Sequence, residues 1–277
     1  MPVCALMPMS RSRMADCLPR LVRPVEGFDL VFGLNTRDDE ALALSLVPAL
    51  SGFRRVILSE VAPWANLYGP HSLNLRQLLM LRWAHFRGEW DLAVTVEEDV
   101  RFVPCPDLEE ELLKKLEAET VWGVDIDGRG QYVTGSCQGL FGPKRLERLW
   151  DLFKQCKVGT HNADVQLWVL EDVPEFLEAI GMPSLQAGAE RLNWWTFPHV
   201  AYGMFQILCR GWGLFVANRG RVELPHYDFT IYGLEYKDRW VLSQMPRSFW
   251  PMQVMDKYHE DCPEMSSVWV INHLDRG

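Results

Sequence analysis

Apolar runs of strand length alternate with helix-period stripes through the first half of the chain. The runs Asp29–Leu34, Arg54–Ser59, Asp91–Val96 and Val121–Ile126 predict four strands, each too short for a helix and rich in Val, Ile and Leu. Between the first two, Thr36 and Asp39 have capping-box spacing ahead of the apolar positions 41–50, which Pro48 and Gly52 close. Ser72 caps a helix to Arg87, with Leu75, Leu78, Leu79 and Phe86 marking its turns and Gly88 as its stop. After Pro106-Asp107, an apolar stripe of Leu108, Leu112, Leu113 and Leu116 runs among charges and predicts another helix. Strands alternating with helices make the fold class α/β.

The second half is less regular. Residues 131–141 are extended and broken by glycine, and Pro143 opens a helix with Leu146, Leu149, Trp150 and Phe153 on one face. A further helix is expected to begin at Asn162-Ala163-Asp164 and to carry Val165, Leu167, Trp168 and Leu170, restarting at Asp172 and Pro174 and ending at Gly181. Residues 185–212 are rich in tryptophan and match no period; Leu214–Asn218 reads as a short strand, and the last thirty residues are irregular. Residues 1–26 mix Met, Arg and Pro without the apolar core of a signal peptide, so they read as a poorly ordered leader.

A length of 277 residues allows one large α/β domain or two small ones, and 48% hydrophobic content with a mean hydropathy of -0.10 is that of an ordinary globular chain. No apolar run approaches the ~18 residues of a membrane span. The net charge of -9 argues against a broad basic surface for nucleic acid, without excluding a local groove. Seven scattered cysteines, with no CxxC pair, fit a reducing cytoplasm, bacterial or that of a viral host.

Candidate chemistry concentrates where the apolar run 91–96 ends in Glu97-Glu98-Asp99. In open α/β sheets, ligands bind beyond the carboxyl ends of the strands. On an extended chain Glu97 and Asp99 point the same way and Glu98 the other. Two hard oxygen ligands on one side suit Mn²⁺ or Mg²⁺, completed by a substrate's phosphates. A solvated acidic turn fits the same spacing.

The order of these parts resembles the GT-A glycosyltransferases, in which a strand ends in a short acidic motif that holds a divalent metal on the donor diphosphate. Val96-Glu97-Glu98-Asp99-Val100-Arg101-Phe102 is similar to that motif, with Glu97 standing where Asp is usual. The resemblance runs from about Asp29 to Asp228 and implies a GT-A-like, Rossmann-like mixed sheet flanked by helices. It implies a donor half over residues 27–120 and an acceptor half over 121–277. It makes Asp99 the principal metal ligand, with Glu97 and His226 as further ligands. Asn35, Thr36, Arg37, Asn74, Arg76, Glu97 and Glu98 would serve as donor contacts, and Gly135, Ser136 and Gln138 as acceptor contacts.

Asn162-Ala163-Asp164 is similar to the family's acidic motif facing the acceptor, which makes Asp164 the catalytic base, with Glu171 and Asp172 in reserve. Bland roles compete for each residue: a cap for Thr36, a surface arginine at 76, a bulged strand around Gly135, a dipole partner at Asp164 and a structural histidine at 226. Cys137 reads as a packed side chain rather than a nucleophile.

The implied activity is metal-dependent transfer of a sugar from a nucleotide-sugar, a UDP-sugar first, to an acceptor hydroxyl. A glycan, a protein or the hydroxylated nucleic-acid base modified by phage enzymes would serve as acceptor. For the base, Trp194, Trp195, Arg210, Arg219 and Arg221 offer stacking and phosphate contacts. A nucleotidyltransferase is the rival enzyme, but its glycine-rich basic loop is missing from Asn35–Asp39. A non-catalytic nucleotide- or sugar-binding module is the other alternative.

Overall fold

The computed structural model describes residues 1–8, 28–34, 40–50, 53–60, 72–96, 101–102, 108–117, 119–124, 137, 139–142, 166–193, 196–217, 228–230, 233–235, 253–255 and 270–272. Its centre is a strand that the sequence reading missed. Val3–Pro8 (β1) is buried at every position and pairs in parallel with both Asp29–Leu34 (β2) and Leu92–Thr95 (β4). The expectation of a poorly ordered leader is therefore wrong for these residues. Six apolar residues between a start methionine and a Met- and Arg-rich stretch give no period, and only the two flanking strands turn them into a strand. Residues 9–27 lie outside the described residues.

Arg55–Glu60 (β3) adds beyond β2, and Gln166–Val169 (β7) closes the other side antiparallel to β4, giving the order β3-β2-β1-β4-β7. Burial on both faces explains why these strands are near-continuous apolar runs rather than alternating ones. Cys4, Leu6, Val31, Ala93 and Trp168 join one core; Val3, Ala5, Met7, Phe32 and Val94 join the other. Each Val, Leu, Met or Phe among them, fully buried, contributes roughly 1.5–3 kcal/mol.

The first core is covered by Ser72–Arg87 (α2), whose bounds match the expected helix, together with Val173–Ala179 (α4), the short Leu185–Gly188 (α5) and Pro198–Phe205 (α6). The second is covered by Glu40–Leu46 (α1), with a 3-10 turn at Val47–Leu50, and by Leu108–Glu117 (α3). The α/β class is as expected.

Over Gln166–Val169, β7 stands where the expected helix ran; the opening of that helix, Asn162 to Val165, lies outside the described residues. Leu167 and Trp168 are both buried, and the pairing Thr95↔Gln166 to Leu92↔Val169 fixes an extended backbone. A spacing of 165, 167–168 and 170 suits either structure over so short a run, and tertiary pairing decides.

Beyond the main sheet, Thr120–Val124 (β6) pairs in parallel with Gly213–Ala217 (β8), close to both expected strands. Asp228–Thr230 (β9) and Gly233–Glu235 (β10) form an antiparallel pair. Arg101–Phe102 (β5) pairs with Val270–Asn272 (β12), which pairs with Gln253–Met255 (β11). Gln253–Met255 and Val270–Asn272, within the final thirty residues that are irregular by pattern, thus join the strand that follows the acidic run.

Candidate functional site

The strands β1 to β4 are parallel, so Pro8, Leu34, Glu60 and Thr95 end on one edge of the sheet. The chain steps outward from β1 to β2 to β3, then crosses back to enter β4 on the far side of β1. The reversal falls between β1 and β4, the kind of crevice in which open α/β sheets bind ligands. Val96 closes this crevice on the β4 side, its N–H donating to the Leu6 carbonyl at 3.0 Å. The next residues in the chain are Glu97, Glu98 and Asp99, which lie outside the described residues.

β7 reaches the same edge from a distant part of the sequence. Because it is antiparallel, it enters opposite the end of β4, with Gln166 paired to Thr95. Asp164 lies two residues before Gln166 and Glu97 two residues after Thr95. Asp164 itself, like Asn35, Thr36, Arg37, Gly135, Ser136, Gln138 and His226, lies outside the described residues.

The start of α2 belongs to the same edge, since the helix runs from the carboxyl end of β3 back to the amino end of β4. Asn74, on its first turn, is 5% exposed and donates through Nδ2 to the Asn193 carbonyl at 3.5 Å. Arg76 is 9% exposed, not the surface arginine of the alternative reading.

Asn193 and Thr196 close a four-residue turn from both directions: the Thr196 N–H donates to the Asn193 carbonyl at 3.1 Å, and the Asn193 N–H to Thr196 Oγ1 at 3.1 Å. Trp194 and Trp195, between them in sequence, lie outside the described residues. The stretch from Arg191 to Phe197 also meets the segment predicted to face the acceptor. Cys137 Sγ donates to the Phe197 carbonyl at 3.6 Å, and Arg191 Nη2 donates to the Leu140 carbonyl at 2.8 Å. Sequence reasoning left residues 185–212 unassigned and missed Arg191 and Asn193. The Asn193-x-x-Thr196 spacing, typical of side-chain-closed turns, was the available signal.

Two charged clusters away from this edge are committed to structure. Asp29, fully buried at the start of β2, accepts from Arg54 Nε at 2.7 Å, Arg55 Nη2 at 2.5 Å and Trp90 Nε1 at 2.7 Å. Burial alone would raise its pKa, but these hydrogen bonds and the Arg54 charge hold the carboxyl well below the usual carboxylate range. The cluster sits at the amino edge, opposite the crevice.

Asp172, held in reserve as a base, is buried, accepting from Tyr202 Oη at 2.9 Å and from Arg210 Nε and Nη2 at 2.9 and 2.6 Å. This carboxylate is held in the fold's own network, and β7 runs away from the crevice before reaching it. Glu171, the other reserve residue, is exposed at that same far end.

The thiols fit packing roles. Burial raises the Cys4 pKa and pushes that of Cys137 up to about 12, as expected for cysteines that are not nucleophiles. A cleft of about 340 Å³ between α2 and α4, lined by Arg82, His85, Phe86, Val173, Leu177 and Glu178, opens near the other end of α2. It lies some ~16 Å along the helix axis from Asn74. Among the described residues, no group of three His, Cys, Asp or Glu is arranged to hold a metal ion, and no helix is long and apolar enough to cross a membrane.

No family model matches the chain, and no curated protein matches it. Among solved structures, the chain is similar to the apo form of mouse xyloside xylosyltransferase 1, at 13% identity and a TM-score of 0.43, over 97% of this chain and 96% of that one.

Proposed function

We propose that the chain is a metal-dependent glycosyltransferase that moves a sugar from a nucleoside-diphosphate sugar, a UDP-sugar first, to an acceptor hydroxyl. The observation that carries this reading is the register Thr95↔Gln166. The acidic run Glu97–Asp99 begins two residues after Thr95 and Asp164 stands two residues before Gln166, so in this reading both belong to the crevice between β1 and β4. A metal-and-donor group beside a proton acceptor is what sugar transfer to a hydroxyl requires. The sheet order, with a final antiparallel strand, agrees with the GT-A resemblance of the sequence.

In this reading Asp99 and Glu97, with His226, hold Mn²⁺ or Mg²⁺; carboxylate oxygens suit such hard cations. The bound cation offsets the negative charge of the departing nucleoside diphosphate. Asn35, Thr36 and Arg37, directly beyond the carboxyl end of β2, face the nucleotide, and Glu98 and Arg76 flank its ribose and phosphates. Gly135, Ser136 and Gln138 line the acceptor side, where Asp164 takes the proton of the attacking hydroxyl.

Calorimetry of UDP binding with and without Mn²⁺ tests the reading. Wild type binds UDP more tightly with Mn²⁺, and Asp99→Asn abolishes that difference while keeping the wild-type melting temperature. A wild type that binds no UDP in either condition would falsify the proposal. Release of pyrophosphate rather than UDP in turnover would point instead to a nucleotidyltransferase.

A further inference from the structure

We propose that Arg191 is a positioning residue for the acceptor side of the site, acting through the backbone of Gly139 and Leu140. The inference rests on the reading above, in which the segment around residues 135–141 faces the acceptor. Arg191 gathers three carbonyls from two other segments. Nη1 donates to Ile180 at 2.7 Å, and Nη2 donates to Leu140 at 2.8 Å and Gly139 at 3.4 Å.

Gly181 makes room for this fork. Its φ is +71°, and a Cβ built there would stand 1.9 Å from Arg191 Nη1. A planar guanidinium can serve carbonyls on two sides at once, which a lysine ammonium on its single axis does not reproduce.

The rest of the strap fixes what Arg191 holds. Phe197, six residues on, accepts from Cys137 Sγ, so residues 191–197 grip the segment 137–140 at both ends. Within that segment the Leu140 N–H donates to the Cys137 carbonyl at 3.1 Å, making it a closed turn. Between the two grips, the Asn193 carbonyl accepts from Asn74 on the first turn of α2. The strap thus links the acceptor segment to the helix that begins at the donor edge. Loosening Arg191 shifts the acceptor segment while leaving the sheet crevice and its nucleotide side in place.

Two readouts on the full chain test this, with Arg191→Gln, Arg191→Lys and Gly181→Ala, the last displacing the guanidinium without deleting it. The first is alkylation of Cys137 by iodoacetamide, mapped by peptide mass spectrometry, with Cys4 in the central strand as the control for global opening. All three variants are expected to label Cys137 about tenfold faster or more while Cys4 keeps its wild-type rate, the pattern of a local opening. The second is transfer from the UDP-sugar to a panel of p-nitrophenyl glycosides. The acceptor KM is expected to rise about tenfold, with the UDP affinity in Mn²⁺ within about twofold of wild type.

Equal acceleration at Cys4 and Cys137, an unchanged Cys137 rate, or UDP affinity falling as far as acceptor affinity would each overturn the inference. So would a wild type that binds UDP but transfers to none of the glycosides. A wild type that binds no UDP removes the glycosyltransferase reading itself.

Discussion

The indole of Trp168 donates from Nε1 to Thr95 Oγ1 at 3.0 Å, diagonally across the antiparallel pair β4 and β7, with both residues almost wholly buried. The bond locks β7 in the register that brings its entry to the carboxyl edge of β4. A one-residue slip would move every β7 side chain to the opposite face.

Thr95→Val keeps the shape of the side chain and removes the acceptor, leaving a buried indole N–H unpaired. The expected loss is about 1–3 kcal/mol in urea unfolding. Trp168→Phe in the Thr95→Val background should cost less than it does in wild type, because no polar group is then orphaned. Additive losses in the two backgrounds would show that the hydrogen bond contributes nothing of its own.

Asp164→Asn separates donor from acceptor chemistry. UDP affinity and melting temperature are expected to stay at wild-type values while kcat falls by ~10²–10⁴, the usual loss of a general base. Asparagine can still cap a helix, so the substitution tests charge rather than architecture. Near wild-type kcat would exclude Asp164 as the base.

Asp172→Asn should show the reverse pattern. The substitution weakens the two Arg210 hydrogen bonds to Oδ1 and the Tyr202 hydrogen bond to Oδ2, so stability is expected to drop by about 1–3 kcal/mol. Transfer by the remaining folded enzyme is expected to keep the wild-type kcat. A drop in kcat without loss of stability would return Asp172 to the list of reacting groups.

Acid should act on the fold through Asp29. Its pKa is lower in the folded chain than in the unfolded one, so its stabilisation is complete above the ordinary carboxylate range near ~4. The contribution shrinks as pH falls below that value toward the lower folded pKa, because the unfolded chain then takes up a proton that the folded one refuses. Asp29→Asn is expected to lose about 2–3 kcal/mol at neutral pH and to flatten the fall in stability between about pH 4 and 2. Parallel stability curves for mutant and wild type, checked by guanidinium melts at stepped pH, would assign the acid sensitivity elsewhere.

Much of the architecture was legible because burial on both sheet faces writes itself as continuous apolar runs. β2, β3, β4 and the helix Ser72–Arg87 came directly from such runs and from capping residues. β1 was not legible, since Val3–Pro8 has a strand's composition but no partner in its own neighbourhood. β7 was misread because four residues such as Gln166–Val169 satisfy either period, and the choice is made by β4. The edge at which the acidic run begins followed from the sequence. That β7 enters the sheet opposite the end of β4 required the register of two strands, and the strap 191–197 required hydrogen bonds between segments more than fifty residues apart.

The place of β1 at the middle of the sheet also has a consequence for how the chain acquires its structure. One flank of Val3–Pro8 is satisfied by nearby Asp29–Leu34, but the other waits for Leu92–Thr95, and β4 in turn for Gln166–Val169. Until those arrive, a strand buried at every position in the folded chain is an edge, with unpaired backbone groups open to any extended chain. Such long-range pairing is slow to nucleate and exposes a sticky intermediate along the way. Poor refolding yield from denaturant, rescued by dilution rather than by metal or nucleotide, is the behaviour this arrangement implies.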